Sequence, residues 1–331
     1  MVAATILIRP DRLPLLARAR LLAGHENTVM GISVAHDVAR IASIDYDGVC
    51  IVRDETTLSP LATQRLNGRG RGIALSPNGA RIAGLLALRD HSDTRYSYDV
   101  FVADVTGSAT AELSGERVRN VAWTPDSEQL VLTGLSGFRV HDHSGTRLRG
   151  DESAKGWTGA CVTADARRVY FICRQQLGCL ELDTSRELPA PDISPFAPPP
   201  SSPGWDSEGL ALSRAADRLT TGRFDGGLYV WDLATAAAMA ELRWDGPRIF
   251  RTKAVFAPDG GRLVASFHHV VTPRANGRVT HVLYDLRAQC VVGGIDTQTD
   301  LTGFHSTACF SADGRRLYVS EGPRIHVCDL D

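Results

Sequence analysis

An aspartate closes a short β-prone run seven times along this 331-residue chain. The positions are Asp54, Asp104, Asp142, Asp183, Asp232, Asp285 and Asp329, with successive gaps of 50, 38, 41, 49, 53 and 44 residues. A period in that range is the length of one small antiparallel unit plus loop insertions. Units of this kind cannot bury their faces alone, so they must stack on neighbours.

Upstream of each aspartate the same phrase recurs. A strand with alternating apolar residues is followed by a turn, a second strand, a second turn and a third strand ending at the Asp. The first turns read Ser76-Pro77-Asn78-Gly79, Thr124-Pro125-Asp126-Ser127, Thr163-Ala164-Asp165-Ala166, Ala257-Pro258-Asp259-Gly260 and Ser311-Ala312-Asp313-Gly314. Proline presets one turn position, and Asn or Asp before Gly tolerates the left-handed one. Looser copies stand at Ala35-His36-Asp37-Val38 and Arg214-Ala215-Ala216-Asp217. The second strands run from Arg40, Arg81, Gln129, Arg168, Arg218, Arg262 and Arg316, each into an apolar run. Short, evenly spaced strands without long helical periodicity exclude a parallel α/β fold.

Blade one then reads Gly24-His25, Val29, Ile41-Ala42-Ser43, Asp47-Gly48 and Val52-Arg53-Asp54; blade five reads Thr221-Gly222-Arg223-Phe224-Asp225-Gly226 and Val230-Trp231-Asp232. These landmarks resemble the WD-repeat family over nearly the whole chain. The family's Trp position holds Arg53, Ala103, His141, Leu182, Tyr284 and Cys328 in the other repeats, so they are degenerate. The resemblance implies an all-β fold: a single domain over residues 1–331, a seven-bladed β-propeller of four-stranded antiparallel blades. The seventh repeat ends at its third strand. Residues 1–23 are therefore expected to close the ring, with Leu13 to Leu22 completing the last blade and Ala3 to Ile8 an extra strand or arm.

The resemblance also implies roles for single residues. His25, Ser43 and Asp47 match the family's buried hydrogen-bond network, normally completed by Trp. Thr221, Asp225 and Trp231 form a partial copy without the His. Ser, His and Asp together invite a catalytic reading, but no G-x-S-x-G elbow is present. No catalytic residue is expected, and the chain is read as not an enzyme. The adjacent pair His268-His269 would point to opposite faces of a strand. No Cys/His spacing suits zinc, so no metal and no cofactor are expected. The run Asn67-Gly68-Arg69-Gly70-Arg71-Gly72 lacks the ending of a phosphate-binding loop. It reads as a loop between blades, with a small anion-binding arginine pair as the lesser alternative.

Composition bounds the partners. The net charge is −2, with 43% hydrophobic and 22% charged residues, which predicts a globular chain that binds neither nucleic acid nor membrane. Only Lys155 and Lys253 are lysines; every other basic residue besides histidine is an arginine. The seven cysteines form no C-x-x-C and mostly sit in apolar runs. They read as free thiols in a reducing, cytoplasmic setting.

Insertions supply the functional reading. The first turns stay short, whereas Arg89 to Tyr98, His268 to Arg278, Pro189 to Asp206 and Gly294 to His305 are long. In a four-stranded blade all four open on the face that carries His25 and Asp47. The segment Pro189 to Pro203 holds seven of the sixteen prolines and reads as a stiff linker or a presented ligand. Loops held by a rigid scaffold commonly carry function. The expected partner-binding face comprises Arg89, Asp93, Arg95, Tyr96, Phe196, Trp205, Arg274, Arg278, Asp296, Asp300 and Phe304, residue types suited to a protein or peptide. The chain is thus expected to be a non-enzymatic binding scaffold, acting alone or within a larger complex. The rival is a lactonase-like propeller hydrolase with a channel metal. Its need for convergent polar groups is poorly met by the apolar starts of the first strands.

Overall fold

Five of the first turns begin at a Ser or Thr, and that hydroxyl organises the hairpin. In the computed structural model the Ser76, Thr124, Thr163, Ser213 and Ser311 hydroxyls each accept the amide that opens the next strand, at 2.8–3.0 Å. Each also donates to an Asn or Asp carbonyl or carboxylate oxygen inside the turn, at 2.5–2.8 Å. The turn residue with positive φ is Gly79, Ser127, Ala166, Ala216, Gly260 or Gly314. The described residues are 4–18, 20–87, 98–107, 109–135, 137–151, 157–194, 205–269, 277–299 and 306–330.

Among the described residues regular structure is almost entirely β, with a 3-10 turn at Pro10–Arg12. The sheets are built on antiparallel meanders of mostly short strands, the blade type of β-propellers. One register recurs seven times. The first residue of the second strand faces the last of the third: Arg40↔Asp54, Arg81↔Asp104, Gln129↔Asp142, Arg168↔Glu181, Arg218↔Asp232, Arg262↔Asp285 and Arg316↔Asp329. In the fourth repeat the closing residue is therefore Glu181, not Asp183. The turn that follows confirms the alignment. A positive φ falls four residues after the closer at Leu58, Ser185, Ala236 and Gln289. The Trp position of that repeat is accordingly Leu180 rather than Leu182.

The closing carboxylates have a local cause. Asp54, Asp142, Asp232 and Asp285 accept backbone amides two to four residues on, at 2.7–3.0 Å. They fix the turn into the outer strand. A second recurrence lies in the first strands. The ladder breaks after Val29, Gly70, Val118 and Ile249, which makes Met30, Arg71, Arg119 and Phe250 bulge residues.

Among the described residues the sheets number six, not seven separate four-stranded ones. Four have four strands, one has five and one has seven. The seven-stranded sheet arises because Ala109–Trp123 runs unbroken from the outer position of one meander to the inner position of the next.

The chain falls into two compact units. One holds residues 1–18 and 158–304. In it, sheet 157–188 packs on sheet 205–244 through Ile172, Leu219 and Trp231. Sheet 205–244 packs in turn on sheet 249–299 through Leu242, Trp244 and Phe267. The other unit holds residues 19–157 and 305–331. There Tyr318 and Val327 pack on Val34 and Ile41, and Ile44 and Val52 pack on Ile82 and Leu86.

The N-terminal segment follows expectation in its first part, as an extra strand, and departs from it in its second. Ala4–Ile8 is a fifth strand, parallel to Ala237–Trp244, with Ala4↔Ala240 to Ile8↔Trp244 in register. Leu15 then bridges Gly294, flanked by Gly294 N–H to Pro14 O at 2.7 Å and Leu16 N–H to Gly294 O at 2.9 Å. Only Arg20–Leu22 pairs with the C-terminal strand Arg324–Asp329. The expected Leu13 to Leu22 strand is thus three residues long, because residues 13–16 run along a different sheet.

Candidate functional site

The buried network of the first repeat forms around Asp45. His25 Nδ1–H donates to Asp45 Oδ2 at 3.0 Å, and Ser43 Oγ lies 2.8 Å from Nε2. The carboxylate can only accept, so in the neutral ring Nδ1 carries the proton and Nε2 accepts from Ser43. Asp45 Oδ1 also accepts the Asp47 and Val49 amides, at 3.0 and 2.9 Å. Asp47, the residue expected in this place, stands one turn position away and accepts Asn27 Nδ2 at 3.3 Å. The physical reason is strand alternation. Ser43 and Asp45 lie on one face of Arg40–Asp45, whereas Asp47 belongs to the following turn.

Arg53 takes over the Trp position. Its guanidinium donates to Ser43 Oγ at 3.3 Å and to the Ala23 carbonyl at 2.7 Å. In the fifth repeat Trp231 Nε1–H donates to Thr221 Oγ1 at 2.9 Å. Arginine and tryptophan thus satisfy the same hydroxyl from the same register position. Asp225 stands outside that bond; it pairs with Arg223 and accepts the Gly227 amide at 3.2 Å. Burial holds the Arg53 pKa below its ordinary value.

The wiring of His25, Asp45 and Ser43 matches that of an activated serine. Its surroundings do not. Ser43 and Asp45 are each 1% exposed, and Arg53 fills the space beside Oγ. The bonds tie the loop before the repeat to its inner strands.

Of the expected partner-binding residues, the structure brings two together. Arg278 and Asp296 form an ion pair across neighbouring strands of sheet 249–299. Asp296 also accepts Thr280 Oγ1–H at 2.6 Å, and Thr280 Oγ1 contacts His269 Nε2 at 2.9 Å. Burial raises the Asp296 carboxyl, but Arg278 and Thr280 outweigh it and hold the pKa below the ordinary carboxylate value. Trp205 opens the strand Trp205–Leu212. Arg89, Asp93, Arg95, Tyr96, Phe196, Arg274, Asp300 and Phe304 lie outside the described residues.

His268 and His269 diverge as a strand requires. His268 meets the Phe250 ring edge-on at 6.0 Å, and His269 meets Trp244 at 5.1 Å. A further polar ladder escaped the sequence reading. Ser266 Oγ lies 2.8 Å from His281 Nδ1, and Thr297 Oγ1 lies 3.4 Å from Nε2. Direct cross-strand pairing of Ser266 with His281 is the signal that marks it.

Burial, then the Lys253 charge, pushes the His281 pKa down to about 3, against a partial pull from Asp296. An unfolded histidine titrates near 6.5. The folded pKa is depressed, so the contribution is intact above pH 6.5 and is lost as pH falls towards 3. Stability is lost progressively through that window. Melting temperature is therefore expected to drop steadily from pH 6.5 to pH 4. His281→Asn flattens that slope; an unchanged slope refutes the assignment.

Among the described residues no three His, Cys, Asp or Glu side chains are gathered as a metal site. No helix there is long and apolar enough to cross a membrane. All seven cysteines are free, and Cys50, Cys161, Cys179 and Cys328 are buried. Set against known proteins, the chain matches no family model, and no curated protein matches it.

Proposed function

We propose that the chain is a seven-bladed, WD-repeat-like β-propeller in one domain, closed by its N-terminal strand, that works as a non-enzymatic scaffold for a protein or peptide in the cytoplasm. The seven copies of one strand register support the blade count. One observation carries the binding role: connection length is unequal in a patterned way. All seven connections between first and second strands are four or five residues long. Hairpins between second and third strands are tight at 46–48, 135–136, 174–175, 224–226 and 322–323, but extend over 88–97 and 270–276. The links at 189–204 and 300–307 are also long. A sheet that only needs to turn uses tight turns, so the added length is free for recognition.

The test replaces 88–97 and 270–276, separately and together, with two-residue Asn-Gly turns. The expected result is an unchanged melting temperature with at least a tenfold loss of partner recovered by affinity capture. Full capture by the doubly shortened chain contradicts the reading. Tight stoichiometric metal in the purified chain favours the hydrolase rival instead.

A further inference from the structure

Only Asn67 and Gly68 of the run to Gly72 lie in a loop. From Arg69 it is the inner strand Arg69–Leu75, and its two arginines share one aromatic partner. Tyr46 stands in the tight hairpin after Arg40–Asp45. The guanidinium carbons of Arg69 and Arg71 each lie 5.4 Å from its ring centroid. One ring attracts each cation only weakly. It does not neutralise either charge.

Among the described residues neither arginine has an anionic partner, and Arg71 Nε is buried without a hydrogen bond. The acids of the same hairpin are engaged elsewhere. Asp45 holds His25 and two amides, and Asp47 holds Asn27. The arrangement is also fixed in place. Gly70 N–H donates to the Tyr46 carbonyl at 3.1 Å, and a Cβ at Gly70 would collide with the Asp45 carbonyl oxygen. Arg69 pairs with Ala87, so the cluster stands at the foot of the long 88–97 connection.

We propose that Tyr46, Arg69 and Arg71 receive a carboxylate-rich segment of a peptide partner at the foot of that hairpin. Two guanidinium forks held on one ring suit carboxylate oxygens geometrically, and their fixed position lowers the ordering cost of binding. The proposal rests on the scaffold reading and adds the chemistry of the partner.

The experiment is fluorescence anisotropy of the full-length chain with a labelled hexaglutamate peptide, a hexalysine peptide and inorganic phosphate as competitor. Saturable hexaglutamate binding that weakens with salt is expected, with none for hexalysine. R69Q changes an exposed side chain and is expected to weaken binding about tenfold, and R69Q/R71Q to abolish it. R324Q removes an exposed arginine elsewhere and is expected to leave affinity unchanged. Melting temperatures show which variants remain folded, and R69Q alone suffices if R69Q/R71Q does not fold. No saturable binding, or equal affinity in R69Q and the parent, overturns the proposal. Competition by phosphate at equal concentration also overturns it, since a free anion then suffices. If hexaglutamate fails while partner capture still depends on 88–97, this proposal falls and the scaffold reading stands. If both fail, both fall.

Discussion

Removal of residues 1–22 is expected to lower the melting temperature by about 10 °C or more. The described residues of the segment are tied down at several points. Ala4–Ile8 adds five parallel pairs to the outer strand Ala237–Trp244, and Ile8 is 1% exposed against Leu242 and Trp244. Loss of a buried isoleucine side chain alone costs about 2–5 kcal/mol. Asp245 N–H donates to the Ile8 carbonyl at 2.8 Å, and Arg9 pairs with Asp245 at 3.0 Å. Further on, Leu22 is buried with Ile325 and Val327. Truncation also leaves Ala237–Trp244 and Arg324–Asp329 as bare edges, which invites aggregation. A shorter deletion, residues 1–8, separates the two effects. It removes the fifth strand and leaves Arg20–Leu22 on the C-terminal sheet. Differential scanning calorimetry of the two deletions should give graded losses. A 1–22 deletion that melts like the full chain contradicts the tie.

The second large effect distinguishes two aspartates that lie two residues apart. Asp45→Ala is expected to cost about 3–5 kcal/mol. It strips the partner from buried His25 and orphans the Asp47 and Val49 amides. Asp47→Ala removes one 3.3 Å contact from Asn27 at a half-buried site and should cost under about 1 kcal/mol. Urea unfolding of both variants reads the difference directly. A larger loss in Asp47→Ala than in Asp45→Ala contradicts the geometry.

That pair also shows where sequence reasoning ran out. Turn and strand placement was legible because local chemistry determines it. Arg168–Cys173, Gly227–Asp232 and Arg324–Asp329 stand where the turn residues put them. Identity within a turn was less legible. Asp47-Gly48 looks like the family landmark, but the face rule favours Asp45, which shares its side of the strand with Ser43. Glu181 was hidden for a similar reason: a carboxylate of another length fills the closing position, while Asp183 supplies the expected letter two residues late. Arg53 looked like a defect in the motif. Only the three-dimensional path of its side chain shows that it reaches the Ser43 hydroxyl.

The candidate site was legible mainly as a pattern of lengths. The first turns were read as short and two hairpins as long, and the strand bounds agree. Which side chains meet was not readable. Arg278 and Asp296 pair because neighbouring strands place them two register steps apart, a relation that spacing alone does not encode. The arginines at 69 and 71 read as part of a loop, with an anion-binding pair as the lesser alternative. A strand inserted against the 46–48 hairpin makes them a fixed pair instead.

The propeller proposal requires both ends of the chain to share one sheet. Leu21 faces His326 across that junction. The decisive measurement is therefore mild oxidation of the double variant L21C/H326C, followed by peptide mapping and calorimetry. The account predicts a mapped 21–326 disulfide and a rise of about 4 kcal/mol in stability, from closing nearly the whole chain into a loop. Absence of that crosslink in the folded protein, or a crosslinked protein that melts below its reduced form, would contradict it.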